Sequence, residues 1–150
     1  MPSSYGLKPG NAGLLPWEKV AERLAASRNY WVVTGSLDRV HAAPVWGLWL
    51  EGRFYFSTDP KSRKGRNLAK NPNVVVHLES GDDVAIVEGV AERLPPDNVD
   101  MPRLSKTYER KYRLRVDFSN PSYAVYMVEP RSALAWGEKD FPRSATRWRF

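Results

Sequence analysis

The sequence predicts a mainly β protein, a small antiparallel β-barrel of six or so strands with helices at its periphery. Three observations support this. Short segments rich in β-branched and aromatic residues recur along the chain. Turn-forming residues often separate neighbouring segments by only a few positions, as in β-hairpins. A few other segments have the apolar spacing of a helix. Closure into a barrel would also remove the exposed edges that so many strands otherwise leave.

The first half of the chain is predicted to contain one helix and three strands. Residues 1–15 are rich in Gly, Pro and Ser, and we expect a loose arm there, before a single domain at 16–150. Trp17, Val20 and Leu24 recur at helical spacing. The helix is therefore predicted at 17–26 and the strands at 30–34, 40–50 and 54–58, with a hairpin turn at 51–53.

The second half is predicted to add two helices and further strands. A short basic helix follows Ser62 and ends at Asn71-Pro72, because the residue before a proline disfavours the α region. A linker at 95–102 precedes a highly charged helix at 103–113. Strand segments are predicted at 73–79, 84–94, 123–128, 133–136 and 146–150.

The composition favours a cytoplasmic protein with an anionic partner. The chain has 150 residues, no cysteine and a net charge of +6. Disulfides and thiolate metal sites are thereby excluded, no apolar run is long enough to cross a membrane, and the first residues lack the apolar core of a signal peptide. The basic residues are scattered and no nucleic-acid-binding motif is present, so a small polyanionic cofactor is favoured over nucleic acid.

Residues 54–72, FYFSTDPKSRKGRNLAKNP, predict an anion site. A half-buried aromatic strand ends at Thr58, and Ser62 is a good N-cap for the helix that follows. Arg63 and Lys64 then fall in the first turn, where the helix dipole disfavours cations unless an anion binds them. Backbone N–H groups, a hydroxyl and two cations would together bind a phosphate. The alternative is that Ser62 only caps a solvated basic helix.

The same run resembles the cofactor-phosphate segment of the pyridoxamine 5′-phosphate oxidase superfamily, the split β-barrel flavoproteins that include reductases using the deazaflavin coenzyme F-420. The family pattern is an aromatic strand ending in Thr, a short loop, Ser-Arg-Lys and a short helix closed by Asn-Pro, and the chain has each part. The resemblance is clear over roughly residues 17–93. It implies a split β-barrel, a flavin-type cofactor (F-420 or FMN) and a homodimer whose second subunit completes the cofactor site.

The resemblance also implies which residues hold the cofactor. Thr58 would form a hydrogen bond with it, and Ser62, Arg63 and Lys64 would hold its phosphate. Asn67 is expected on the same side of the helix as Lys64 and would touch the cofactor. The C-terminal run DFPRSATRWRF lacks the basic substrate motif of true pyridoxamine phosphate oxidases, so oxidation of vitamin B6 is not expected.

Two further groups of residues are implied by the resemblance. The flavin ring would lie against the backbone of Pro44, Val45 and Trp46, where the proline leaves the strand incompletely paired. The alternative is that Pro44 only marks a sheet edge. Arg147 and Trp148 are the candidates to reach the cofactor from the second subunit, and Trp148 could instead fill the barrel core or the dimer interface.

Side chains that catalyse reactions on their own are sparse, as expected when a cofactor carries the chemistry. His41 and His77 lie on separate predicted strands and are interpreted as structural, and no motif of a catalytic triad or metal site is present. Trp31, Trp46 and Trp49 suggest a flat aromatic pocket, with a place in the core or an interface as the alternative.

The leading hypothesis is therefore a homodimeric oxidoreductase that transfers hydride between FMN or reduced F-420 and a small organic substrate. The basic charge balance favours F-420, because that coenzyme carries an acidic oligoglutamate tail. One alternative is a non-enzymatic carrier of flavin, haem or tetrapyrrole on the same barrel. Another is a nucleic-acid-binding module that uses the charged segment 103–115.

Overall fold

The computed structural model describes residues 14–150, which form eight β-strands, three α-helices and a short 3-10 helix at Glu138–Asp140. The helices are α1 (Trp17–Ala26), α2 (Arg63–Lys70) and α3 (Met101–Tyr112). The strands are β1 (Tyr30–Gly35), β2 (Val40–Val45), β3 (Gly47–Leu50), β4 (Arg53–Thr58), β5 (Asn73–His77), β6 (Asp83–Leu94), β7 (Ala124–Gly137) and β8 (Thr146–Arg149).

All eight strands belong to one antiparallel sheet. Its order is β2-β1-β5-β6-β7-β4-β3, and β8 pairs with the C-terminal part of β7. The strands β2 and β3 stand at opposite ends of this order, yet only Trp46 separates them along the chain. The sheet must therefore curl until its two ends approach each other. The mainly β class and the split barrel are confirmed, with eight strands where about six were expected.

The core of the protein lies in two layers. The inner face of the curled sheet holds the main cluster, whose large and fully buried members include Leu24, Tyr30, Val32, Phe54, Val76 and Val128. A second cluster lies between the outer face of β3 and β4 and the helix α3, and it includes Leu48, Tyr55, Leu104, Tyr112, Phe118 and Val125. The strand β4 is thus buried on both faces. The prediction that it is half-buried is wrong, because α3 covers its outer side.

Most helices and strands form where the sequence predicts them. The helices α1 and α2 match their predicted bounds, and the predicted charged helix begins two residues earlier, as α3. The predicted strand at 40–50 is broken at Trp46, because the chain passes there from one end of the sheet order to the other. The hairpin turn follows directly, with positive φ angles at Glu51 and Gly52.

The two strands predicted on either side of residue 130 are one continuous strand, β7. Pro130 pairs with Gly89 of β6, and the next pair joins Ser132 to Glu88. Arg131 is therefore the extra residue of a β-bulge, which bends the strand without ending it. The residues between the two predicted strands therefore form part of one long strand that crosses both halves of the sheet.

One half of the outer sheet face keeps an apolar surface, which we call the outer patch. Five half-buried apolar side chains project there to the same side: Trp31 and Val33 of β1, Val75 of β5, Ile86 of β6 and Leu134 of β7. An apolar patch on four adjacent strands is a surface on which another protein can pack.

The predicted arm falls outside the described residues except for its last two, and the extent of the domain stays a prediction. Among the described residues, no helix combines the length and apolar content that crossing a membrane would require.

Candidate functional site

The predicted anion site lies where β4 ends and α2 begins. Ser62 caps the helix, because its Oγ accepts a hydrogen bond of 3.1 Å from the backbone N–H of Gly65. Oγ1 of Thr58, the last residue of β4, lies 3.1 Å from the same Ser62 Oγ. The first backbone N–H groups of a helix have no acceptor within it, so those of Arg63 and Lys64 can bind an anion from outside the helix. The fold therefore brings four of the predicted residues together.

The loop before α2 packs tightly on the first turn of the helix. A Cβ atom on Gly65 would lie 2.6 Å from the carbonyl oxygens of both Asp59 and Pro60, so only glycine fits. The Asp59 carboxylate accepts a hydrogen bond of 2.7 Å from the N–H of Lys61, and its carbonyl accepts one of 2.9 Å from the N–H of Ser62. These contacts hold the N-terminus of α2 in a defined position.

Arg63 and Lys64 have no carboxylate partner in the described part of the chain. The five ion pairs within residues 14–150 involve other residues. Arg63 is exposed and Lys64 is half-buried. Burial lowers the pKa of Lys64, because loss of hydration disfavours the charged form. A bound anion would replace the interactions that the ammonium group loses on burial.

Asn67 is buried in the structure, with 8% of its surface exposed. Its Nδ2 donates a hydrogen bond of 3.1 Å to Oγ1 of Thr34, which is 1% exposed. The bond ties the middle of α2 to β1 and so sets the height of the first helical turn above the sheet. A contact between Asn67 and a cofactor stays a prediction.

His41, which the sequence indicates as a structural residue, lies close to the anion site in the fold. It lies on β2 directly opposite Thr34 of β1, so both side chains project to the inner face of the sheet. Its Nδ1 is buried and has no hydrogen-bond partner among residues 14–150. Burial lowers the pKa of His41, and the positive charges of Lys64 and Arg63 lower it further. Strand alternation could have placed His41 inward, but no spacing in the sequence shows which helix lies above it.

The residues predicted to face the flavin ring lie at an edge of the sheet. Val45 packs against the main core, whereas Pro44 projects to the opposite side and is exposed. Trp46 stacks on Tyr112 of α3, with ring centroids 4.6 Å apart. Because β2 ends the sheet order, one side of its backbone has no strand partner in the described chain. Pro44 does mark a sheet edge, and the free backbone beside it can accept a ligand.

Within one chain, Arg147 lies far from the anion site. Arg147 of β8 pairs with Leu134, whereas Thr58 pairs with Ala124 at the opposite end of β7. The path along β7 from residue 124 to residue 134 is roughly 33 Å at the rise of an extended strand. Arg147 therefore cannot join Thr58 in a single subunit.

The tryptophans occupy separate places. Trp148 packs on Trp17 of α1, with ring centroids 5.2 Å apart, at the border of the main core, which agrees with the alternative of a place in the core. Trp49 is buried in that core, Trp46 lies against α3, and Trp31 belongs to the outer patch. The expected flat pocket of three tryptophans is wrong, because they project from the sheet toward different neighbours.

Comparison with known families gives a match over most of the chain. The sequence profile of the family described as pyridoxamine 5′-phosphate oxidase matches residues 16–137. That range contains the strands from β1 to the end of β7 and the whole anion site. No curated protein matches the chain.

Solved structures give the same fold at low sequence identity. A conserved hypothetical protein from Mycobacterium tuberculosis is 21% identical, with a TM-score of 0.74 over 89% of this chain and 91% of the other. A FAD-binding protein from Mesorhizobium loti is 17% identical, with a TM-score of 0.65 over 79% of this chain and 90% of the other. A protein named F420 reductase is 20% identical, with a TM-score of 0.59 over 75% of this chain and 94% of the other.

Proposed function

The chain belongs to the pyridoxamine 5′-phosphate oxidase family, and we propose that it binds FMN or F-420 and transfers hydride between that cofactor and a small organic substrate. The observation that carries this proposal is the first turn of α2. Two cationic side chains that form no ion pair within residues 14–150 lie there at a capped helix N-terminus. Both candidate cofactors carry a phosphate group that such a site would bind.

The residues of the site fit a phosphate group. The N–H groups of Arg63 and Lys64 and the positive end of the helix dipole favour an anion. The guanidinium and ammonium groups would add charge-assisted hydrogen bonds, and the hydroxyls of Ser62 and Thr58 would add neutral ones. A bound phosphate would also remove the unfavourable placement of two cations at the positive end of a helix.

The bound cofactor would supply the hydride chemistry, and the protein would supply binding and orientation. In this assignment α2 fixes the phosphate end. The free backbone of β2 near Pro44 and Val45 fixes the ring end, and Trp46 limits that region on the side of α3. The proposal therefore names no acid or base side chain for the reaction.

Two similar structures and the charge of the chain support a flavin-type cofactor. One of these proteins is named F420 reductase and the other a FAD-binding protein. The net charge of +6 favours F-420, whose oligoglutamate tail is acidic.

We further propose that the active form is a homodimer with the cofactor site completed by the second subunit. Arg147 lies too far along β7 to reach the anion site of its own chain. In a dimer, the exposed Arg147 of the second subunit would approach the cofactor, whereas Trp148 packs on Trp17 of its own chain. The outer patch supplies an apolar surface on which the second copy would pack.

Two measurements test the proposed function. The absorption spectrum of the purified protein, followed by fluorescence titrations with FMN and with F-420, measures binding. The oxidation of each bound reduced cofactor by a panel of small organic acceptors measures hydride transfer. We expect micromolar or tighter binding of at least one cofactor, and turnover with at least one acceptor. Absence of binding would overturn the proposal. Binding without turnover for any acceptor would instead favour the carrier hypothesis.

A further inference from the structure

The side chain of His41 lies beside the face of α2 that bears the anion site. It is directly opposite Thr34, whose hydroxyl accepts the hydrogen bond from Asn67. Asn67 follows Arg63 by four positions and Lys64 by three, so all three side chains share one face of the helix. The contact that joins Thr34 to α2 therefore also brings His41 next to the two cations.

Nδ1 of His41 is a buried polar atom without a partner. It is the one such side-chain atom in residues 14–150. The hydroxyl of Thr34, on the residue directly opposite, accepts the amide of Asn67 and forms no hydrogen bond with the ring. Buried polar atoms in folded proteins are paired in the large majority of cases, and an unpaired one calls for a partner outside the chain.

Resting on the cofactor site proposed above, we propose that His41 is a third ligand of the cofactor phosphate and that its imidazole takes up a proton when the phosphate binds. The site would then contain three cations in the bound state and two in the free state. Cofactor affinity would rise as the pH falls through the range in which His41 titrates.

The electrostatics of the site give the direction of this coupling. From α2, Lys64 and Arg63 act on the ring, and their positive charges add to burial in keeping the imidazole neutral. From β1, the group opposite His41 is the uncharged Thr34. A phosphate bound between these cations adds negative charge, which favours the imidazolium form. Binding and protonation must then promote each other by the same factor.

A titration of the wild-type protein tests the proposal directly. The sequence contains two histidines, His41 and His77, so their NMR signals are easily separated, and the variant His77→Gln assigns them. His77 serves as the matched control, because its side chain lies on the outer face of the sheet, where its ring stacks on that of Trp31. The histidine pKa values are measured in sodium chloride, in sodium sulfate at equal ionic strength, and with saturating FMN. Sulfate stays fully ionised in this range and acts as a simple phosphate substitute.

We expect FMN and sulfate to raise the pKa of His41 by about one unit or more and to leave that of His77 unchanged. The variant His41→Gln keeps a hydrogen-bonding group but cannot take up a proton. The affinity of wild type for FMN, divided by that of His41→Gln, should therefore rise several-fold from pH 8 to pH 6, with a limit of about ten-fold for each unit by which the pKa rises. Division by the variant removes the contribution of the titrating phosphate of FMN itself.

The outcomes separate this proposal from the proposed function. FMN could bind without changing the pKa of His41, and with an affinity ratio that does not vary with pH. In that case His41 is not a phosphate ligand, and the cofactor site stands. If neither FMN nor F-420 binds, the cofactor site fails, and the sulfate titration still decides about His41. A rise in the pKa of both histidines to the same extent would indicate a general salt effect and would also overturn the proposal.

Discussion

Lys111 of α3 donates a hydrogen bond of 2.7 Å to the hydroxyl of Tyr30 at the start of β1, and another of 2.9 Å to the carbonyl of Gly47 at the start of β3. Its ammonium group lies 4.7 Å from the centre of the Tyr30 ring. None of the ion pairs in residues 14–150 includes Lys111. Burial lowers the pKa of Lys111 to about 8, because no negative charge compensates the lost hydration.

This arrangement makes the stability depend on pH. Folded Lys111 loses its proton near pH 8, whereas the unfolded residue keeps it to about pH 10. The unfolded state therefore binds more protons between these values, and the free energy of unfolding rises with pH. We expect a gain of about 1 kcal/mol from pH 7 to pH 9.5 in wild type, relative to Lys111→Met.

The measurement is urea unfolding at a series of pH values. Its control is Lys106→Met, which removes an exposed lysine from the same helix. Burial raises the pKa of Tyr30 and, to about 12, that of Tyr112, so their contribution has the opposite sign and begins above pH 10. Equal pH profiles for wild type and Lys111→Met below that pH would contradict the assignment.

The sequence predicts α2 well because the information there is local. The cap Ser62 and the final Asn71-Pro72 act within one turn of the residues they affect, and the glycine at the third helical position packs on the loop directly before the helix. Thr58, Ser62, Arg63 and Lys64 could be grouped for the same reason. These residues are close together along the chain, so local structure alone is enough to bring them together.

The features that the sequence does not predict depend on contacts between segments that are distant along the chain. His41 meets the anion site only because β2 pairs with β1 in one register and α2 packs above that pair. A shift of one residue would turn His41 to the other face of the sheet. The bulge at Arg131 likewise depends on the pairing with β6, so the sequence alone predicts two separate strands around Pro130 and not one.

The cation pair of the anion site can be tested by removal. We expect Arg63→Ala/Lys64→Ala to fold normally and to lose affinity for both FMN and F-420. Each lost charge-assisted hydrogen bond should cost about 1.5–3 kcal/mol, or roughly ten- to a hundred-fold in dissociation constant. The control Lys19→Ala/Lys70→Ala removes the same charge from exposed positions. The measurement is the dissociation constant of each cofactor, obtained by fluorescence titration of all three proteins. Equal affinities of wild type and the double variant Arg63→Ala/Lys64→Ala would contradict the assignment of these residues to the phosphate.

The dimer prediction concerns the outer patch. We expect the protein to sediment as a dimer at micromolar concentration, with an interface on the order of 2,000 Å². Val75→Glu places a charge in the centre of the patch at a half-buried position, so the subunit should still fold but sediment as a monomer. Val99→Glu is the control, because that side chain is 90% exposed on a loop. A wild-type monomer, or a Val75→Glu dimer as stable as wild type, would count against this interface.

The choice between the two cofactors can be tested with salt. If the positive surface attracts the oligoglutamate tail of F-420, part of the affinity is Coulomb attraction between exposed charges. That attraction weakens as the Debye length falls from ~10 Å at 0.1 M to ~3 Å at 1 M salt. Affinity for F-420 should therefore decrease more steeply with salt than affinity for FMN, which has no such tail. The contacts of Arg63 and Lys64 with phosphate are common to both cofactors and cannot produce the difference. Parallel salt dependences in paired titrations would leave no electrostatic reason to prefer F-420, and FMN would then be the better assignment.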